Sequence, residues 1–468
     1  MDAAALRELI TAARPARAGA LSVRGVRVRG SLDLTEGRFD GALVFLECVF
    51  DEPVRMEGLV ARAVDLSRST LPALFADRVS VDGEFRLTGV RLGDGAAQPR
   101  PLLDPNRADR PGRTPRRVRE GHSAATVQMA DARIDGSLVV EHMVVADSAA
   151  WSLLAPRLRV GGSVRARGLK ASGSLYLRDC RTTHTVDLVE ADVGGIDATG
   201  LVCGGGFYAD WGFRSAGQVL LRAAEVRGVV TFHDSVLTEP AGALLLSRLS
   251  VQRLRIDLRE PPAGQVILQD AAVDVLVDDE RTWPAPGALF VEGLTYKRIE
   301  SDQPVEVRSR IGWLVRDPHA GAGSFEQLAK SYEAAGDDQA ARAVRHARER
   351  HLRSREPLPG RIWGYVQDLL FGYGYAPRRA LAWLLCLVAV GSLWFAGHPP
   401  RRADPRSERA WDPVLYSLDL LIPVANLGYR GSWQAEGVGR AFALLLVVSG
   451  WTLATAVLAG ARRALGRS

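Results

Sequence analysis

The side chains that could do chemistry in this 468-residue chain are scattered rather than clustered. Its four cysteines, Cys48, Cys180, Cys203 and Cys386, form no Cys-x-x-Cys pair and no ligand cluster. Dithiol exchange and a thiolate metal centre are therefore not indicated, and the cysteines read as buried, reduced thiols. The eight histidines, His122, His142, His184, His233, His319, His346, His351 and His398, include no His-x3-His pair. A dinucleotide site needs G-x-G-x-x-G between a strand and a helix. Gly204, Gly205 and Gly206 are followed by no helical pattern and read as a tight bend or bulge. A P-loop and a G-x-S-x-G elbow are absent as well. Asp33, Asp65, Asp187 and Asp257 hold the polar place in "LDL", "VDL" and "IDL" triplets. That place ordinarily faces solvent, although a stacked carboxylate row could hold a cation or a sugar. No catalytic, cofactor-binding or metal-ligating residue is assigned, and no cofactor is expected.

The elements that would position any site come in two grammars. From residue 21 to about 310 the chain repeats a glycine-led phrase followed by alternation: "RGSLDLTEG" at Gly30, "DGEFRLTGV" at Gly83, "DGSLVVEHM" at Gly136, "GGSVRARGL" at Gly162 and "ASGSLYLRDC" at Gly173. Period two puts aliphatics on one face and arginines on the other, as in Leu254, Ile256 and Leu258 against Arg255, Asp257 and Arg259. Gly162 to Gly173 is 11 residues and Gly173 to Gly194 is 21. Such spacing is too short for βαβ units. It suits short strands stacked coil upon coil into one continuous core. An antiparallel sandwich lacks its Asn-Gly hairpin signals here, and a strict five-residue repeat is not sustained. The region therefore predicts a parallel β-solenoid of roughly 20 to 24 residues per coil and about twelve coils, with glycine supplying a positive φ at each corner. Residues 1–20 read as an N-terminal cap helix with no secretory h-region. Residues 93–124, with seven arginines from Arg100 to Arg119, read as a disordered insertion.

The second grammar is helical. Residues 324–356 read as a tetratricopeptide-like hairpin opened by a Ser324/Gln327 capping box, with the stripe Phe325, Leu328, Ala329 and Tyr332. Residues 361–376 read as an interfacial helix. Residues 380–397 and 441–460 carry no charge and are long enough to cross a bilayer. Arg378 and Arg379 precede the first and Arg462 and Arg463 follow the second, which places both termini and the tail 461–468 in the cytoplasm. Between them, residues 398–440 form an extracytoplasmic loop with an apolar half-helix bearing Tyr416, Asp419 and Pro423. The plan of span, half-helix, loop and span also resembles a two-span pore subunit, but Arg430 interrupts the filter-like "NLGYRG".

The hairpin residues Tyr332, Gly336, Asp337, Ala341 and Arg342 are followed by Gly372, Tyr373, Gly374 and Pro377 and then by Tyr416, Leu418, Asp419 and Pro423. With the glycine-led phrases, this sequence of motifs resembles a bacterial family of uncharacterised membrane proteins often labelled membrane-associated oxidoreductase. The resemblance covers most of the chain. It implies an architecture, mainly β: a β-solenoid, a helical hairpin and two transmembrane helices. It brings no catalytic residues. The expected role is a membrane-anchored scaffold or protein-interaction module, non-enzymatic and multi-pass, with its solenoid in the cytoplasm. The alternatives are an oxidoreductase, as the label has it, and a channel or transport subunit. The expected partners are the lipid bilayer and a membrane or cytoplasmic protein, with a homo-oligomer left open. A net charge of +6 permits contact with anionic lipid and does not call for nucleic acid.

Overall fold

A strand with one apolar face needs a ladder partner, and here the partner is the next coil. The computed structural model describes residues 1–12, 19–93, 125–146, 150–354, 377–403, 410–422 and 427–465. Two 17-stranded sheets run through residues 20–301, and the pairing between coils is parallel. The register Glu225, Ser250, Ala272, Thr295 climbs four successive coils. A mainly β parallel solenoid is thus what the alternation encodes. The inward residues make one continuous core, with Phe45, Phe85, Phe207 and Phe232 fully buried. Leu175 and Leu177 of the phrase at Gly173 also point inward.

The corners differ from expectation in an instructive way. Among the described residues fourteen non-glycine residues have left-handed backbones. They fall, with a few glycines, into two columns of turns. One column carries Glu36, Gly58, Arg78, Asp131, Arg157, Asp179, Gly200, Ala223, Arg248, Asp270 and Gly293. Its eleven turns give the solenoid about eleven coils. The other carries Gly25, Glu47, Arg68, Gly89, His142, Gly168, Glu190, Trp211 and Asp234. Most of these turns close with an i to i+3 backbone bond, such as Gly37 N to Leu34 O at 3.0 Å, with the third residue left-handed, the signature of a type II turn. Each column is also stitched vertically: Glu190 N donates to Asp210 O, and Trp211 N to His233 O at 2.9 Å. Charged side chains at these tips pair up the stack, as in Arg157 with Asp131.

The phrase glycines serve a different purpose. Of Gly30, Gly83, Gly136, Gly162 and Gly173, only Gly30 has a positive φ, 84°. A Cβ on Gly136 would sit 2.5 Å from the carbonyl of Gly83, and one on Gly162 would sit 2.8 Å from Gly136 O. These glycines let successive coils nest closer than any side chain permits. The same holds for Gly204, whose Cβ would meet Thr183 O at 2.2 Å, so the triple glycine is a nesting corner.

The ends of the solenoid are covered. Helix α1 (Ala3–Ala12) buries Ala3, Leu6 and Ile10, and Ala3 N donates to Arg29 O. At the other end α2 (Val307–Val315) brings Arg310, 3% exposed, onto Asp278 in a two-pronged ion pair of 2.5 and 2.9 Å. Trp283 and Trp313 flank that guanidinium at 5.0 and 5.6 Å. Helices α3 (Ala322–Ala334) and α4 (Asp338–Ser354) follow. The Ser324/Gln327 capping box does not form. Gly321 caps α3, Ser324 lies buried inside it, and Gln327 donates to Tyr296 O. The local motif loses because Phe325 and Leu328 must face the solenoid core, which fixes where the helix begins.

The chain divides into two compact units, Met1–Arg348 and Glu349–Ser468. The second contains α5 (Pro377–Gly397), α6 (Pro413–Leu421), the short α7 (Tyr429–Ser432) and α8 (Val438–Leu465). Helix α6 packs against both long helices at glycines. A Cβ on Gly391 would lie 2.8 Å from Ser417 Oγ, and one on Gly450 would lie 2.0 Å from Leu421 O. Among the described residues no helix is long and apolar enough to cross a membrane, so the expected spans find no support there. They lie in α5 and α8, whose described side chains run from Trp383 and up to Trp451 respectively. The insertion from residue 94 onward, the helix expected over 361–376, and Pro423 lie outside the described residues.

Candidate functional site

Three cysteines are buried and Cys386 is exposed, which corrects the expectation for that one. Burial pushes the Cys180 thiol up to about 12, and its sulfur donates to Ala155 O, so it is inert. Among the described residues no group of histidine, cysteine and carboxylate side chains could hold a metal ion. The aspartates of the "LDL" triplets are not an idle solvent-facing row. Asp33, Asp65 and Asp187 accept from the backbone N–H two residues on, bracing the turn that follows. Asp257 is buried and held by Arg255.

In the second unit the sequence points to Tyr416 and Asp419, and both are buried side chains of α6. Asp419 accepts from the N–H groups of Leu427, Tyr429 and Arg430 at 2.9, 3.0 and 2.9 Å. Arg430 reaches back to Leu420 O. Gly428, at φ 76°, turns the loop so that its amides converge on the carboxylate. Here the described part of that loop, Leu427 to Arg430, presents donors inward to Asp419, the opposite polarity to a ring of filter carbonyls. Arg378, Arg379, Arg462 and Arg463 belong to α5 and α8, but their side chains lie outside the described residues.

The densest unusual chemistry sits on the second turn column of the solenoid, at Asp210, Trp211, His233 and Asp257. The turn Asp210–Phe213 closes with Phe213 N to Asp210 O, and both central residues are left-handed, Trp211 at φ 47° and Gly212 at φ 92°. That is a type I′ turn, whose first central place normally falls to Asn, Asp or Gly. A bulky indole there costs about 1–2 kcal/mol in local strain. Trp211 is nevertheless 60% exposed. Its ring meets the His233 imidazole edge to face, centroids 4.6 Å apart. His233 Nδ1 is 2.7 Å from Asp257 Oδ2, and Arg255 grips the same carboxylate. Asp210 is 7% exposed and its Oδ1 is buried without a hydrogen-bond partner. Burial, then the neighbouring Asp187, push its carboxyl above the usual carboxylate range, against the pull of His233. Chemically the cluster holds an oriented imidazole and surplus negative charge. The nearby Ser235 hydroxyl is engaged with Ala209 O at 2.6 Å, so it is not a poised nucleophile.

A separate groove of about 510 Å³ crosses the last four coils, lined by Glu225, Arg227, Gln252, Asp274 and Lys297 among others. Lys297 and Asp274 pair across it at 2.8 Å. Sequence reasoning missed both places. The signal for the first was present: counting turns in steps of about eleven puts Trp211 where neighbouring turns carry Glu190 and Asp234.

No family model, curated protein or solved structure matches the chain. The resemblance to the membrane-associated oxidoreductase family therefore rests on the motif residues, and the part of it that the structure carries is the β-solenoid.

Proposed function

We propose that this chain is a membrane-anchored scaffold whose solenoid offers a protein-interaction surface in the cytoplasm. One observation carries the anchoring: large apolar side chains stand exposed along α5 and α8, including Leu385, Leu393, Leu444, Leu445, Val448 and Trp451, with Leu393 76% exposed. Among the described residues eight such side chains on these two helices seek an apolar environment. The backbone amides of Leu427, Tyr429 and Arg430 in the same unit turn inward onto Asp419. In the finer form of the proposal, residues 380–397 and 441–460 both enter the bilayer and both termini are cytoplasmic. The support is the arginine pairs at their ends. The solenoid supports the interaction role with a long regular surface whose distinctive features are side chains at turn tips.

The test is partition and labelling. The chain should stay with membranes through alkaline carbonate extraction. In a variant lacking its native cysteines, a cysteine at Ser407 should react with an impermeant thiol reagent in intact cells, and one at Ser354 should not. Release by carbonate would remove the anchor from the proposal, and the reverse labelling pattern would invert the topology.

A further inference from the structure

We infer that the Trp211 turn is a docking point for an arginine-bearing segment of a partner protein. This names the partner chemistry of the interaction surface proposed above and rests on that reading. Three observations converge. Trp211 holds a strained left-handed backbone and yet leaves its indole 60% exposed, so the strain secures no burial. The left-handed backbone is common to the turn tips, but the indole is the largest side chain among them and, packed only edge to face on His233, it stays mostly exposed, which marks it as displayed for contact. The turn column then sets carboxylates on both sides of the indole. Glu190 occupies the tip one coil before and Asp234 the tip one coil after, each about 5 Å away along the stack. Beneath it lies Asp210, with one carboxylate oxygen buried and without a partner.

The local charge balance favours a cation. Asp234 is matched by Arg259 at 2.7 Å, Asp187 by Arg167 at 3.4 Å, and Asp257 by Arg255 at 2.5 Å. Asp210 has no ion pair, and Glu190 is exposed at its tip. The nearest basic side chain along the chain, Arg214, stands in register with Asp192 on the neighbouring strand. On a chain with a net charge of +6, this is a negative patch around an aromatic ring. A guanidinium suits it better than an ammonium, because its plane stacks on an indole while its edge donors reach the exposed Glu190 carboxylate, Asp234 being already held through both oxygens by Arg259.

The test uses the full chain in non-ionic detergent and three fluorescent probes: a peptide of alternating glycine and arginine, and its lysine and glutamate counterparts. The arginine peptide should bind saturably, the lysine peptide more weakly and the glutamate peptide not at all, with affinity falling as salt rises. Trp211→Ala should weaken the arginine peptide about ten-fold, and Asp210→Asn and Glu190→Gln about two- to three-fold each. Trp211→Phe should retain most of the binding, which separates loss of the ring from loss of fold. Unchanged affinity in Trp211→Ala, or equal loss in Trp211→Ala and Trp211→Phe, overturns the inference. The scaffold reading would survive that result if partner cross-linking still required the solenoid.

Discussion

Three glycine-to-alanine changes should move stability in three different ways, because the glycines are there for different reasons. Gly136 sits at a nesting corner, where an added methyl would lie 2.5 Å from the carbonyl carbon and oxygen of Gly83 and 2.9 Å from Glu84 N. None of these backbone atoms can swing away as a side chain would. The coils must separate, stretching the bonds Gly136 N to Gly83 O, 3.0 Å, and Gly162 N to Gly136 O, 2.7 Å. Overpacking of about 1–3 kcal/mol plus roughly 1 kcal/mol for a weakened bond gives a loss of about 3 kcal/mol for Gly136→Ala. Gly25 has open space around it but a φ of 65°, so Gly25→Ala should cost only about 1 kcal/mol. Gly312 lies inside α2 with nothing within 4 Å, and Gly312→Ala should stabilise by about 0.5–1 kcal/mol. Unfolding midpoints of the full chain, followed by circular dichroism, should rank Gly312→Ala above wild type, then Gly25→Ala, then Gly136→Ala. Coils in a stack contact only their neighbours, so Gly136→Ala should also open a protease-sensitive point between coils. A Gly136→Ala midpoint no lower than that of Gly25→Ala would refute the nesting argument.

Other consequences can be checked with the same preparations. Leu175→Asp places a carboxylate in a fully apolar interior and should cost several kcal/mol; Arg178→Asp, which looks like an outward and harmless change, should cost more than about 1 kcal/mol because Arg178 covers the buried Asp197 at 2.7 Å. Arg310→Met leaves the buried Asp278 carboxylate without its cation, with only the Trp283 Nε1 and Ser301 Oγ hydrogen bonds, so the helical cap should loosen, with a loss of about 3 kcal/mol and faster proteolysis within residues 307–354. Asp210 has a raised folded pKa, so its contribution to stability is fully present below the unfolded carboxyl value of about 4 and is lost as pH rises through the folded value. Asp210→Asn should therefore be more stable than wild type at pH 7, with the difference closing on acidification; a difference independent of pH would contradict it.

The solenoid was legible because its signal is periodic and redundant: Leu175 and Leu177 alternate with Tyr176 and Arg178, and dozens of residues repeat the statement. The reason for the phrase glycines was not legible. Positive φ and close approach both select glycine, and only the position of Gly83 beneath Gly136 separates them. The left-handed tips were hidden for the opposite reason. Glu, Arg and Ala carry no such signature, and the stacked turn imposes the conformation on them. The Ser324/Gln327 motif misled because core packing of Phe325 and Leu328 outweighs a cap of about 1 kcal/mol. Asp419 was found as a residue, but its role as acceptor for three amides needed the loop 427–430 to be seen folded over it.

Cross-linking in intact cells, read by mass spectrometry of the membrane fraction, tests most directly whether this chain works by holding a partner on its solenoid. The account predicts a reproducible partner protein whose cross-links gather on the turn columns of residues 125–301 and include the Trp211 turn. Those cross-links should vanish when residues 21–300 are deleted and the C-terminal helices are kept. Retention of the same partner by that deletion would contradict the account. So would a chain that makes no cross-links but purifies with stoichiometric flavin and turns over a nicotinamide cofactor.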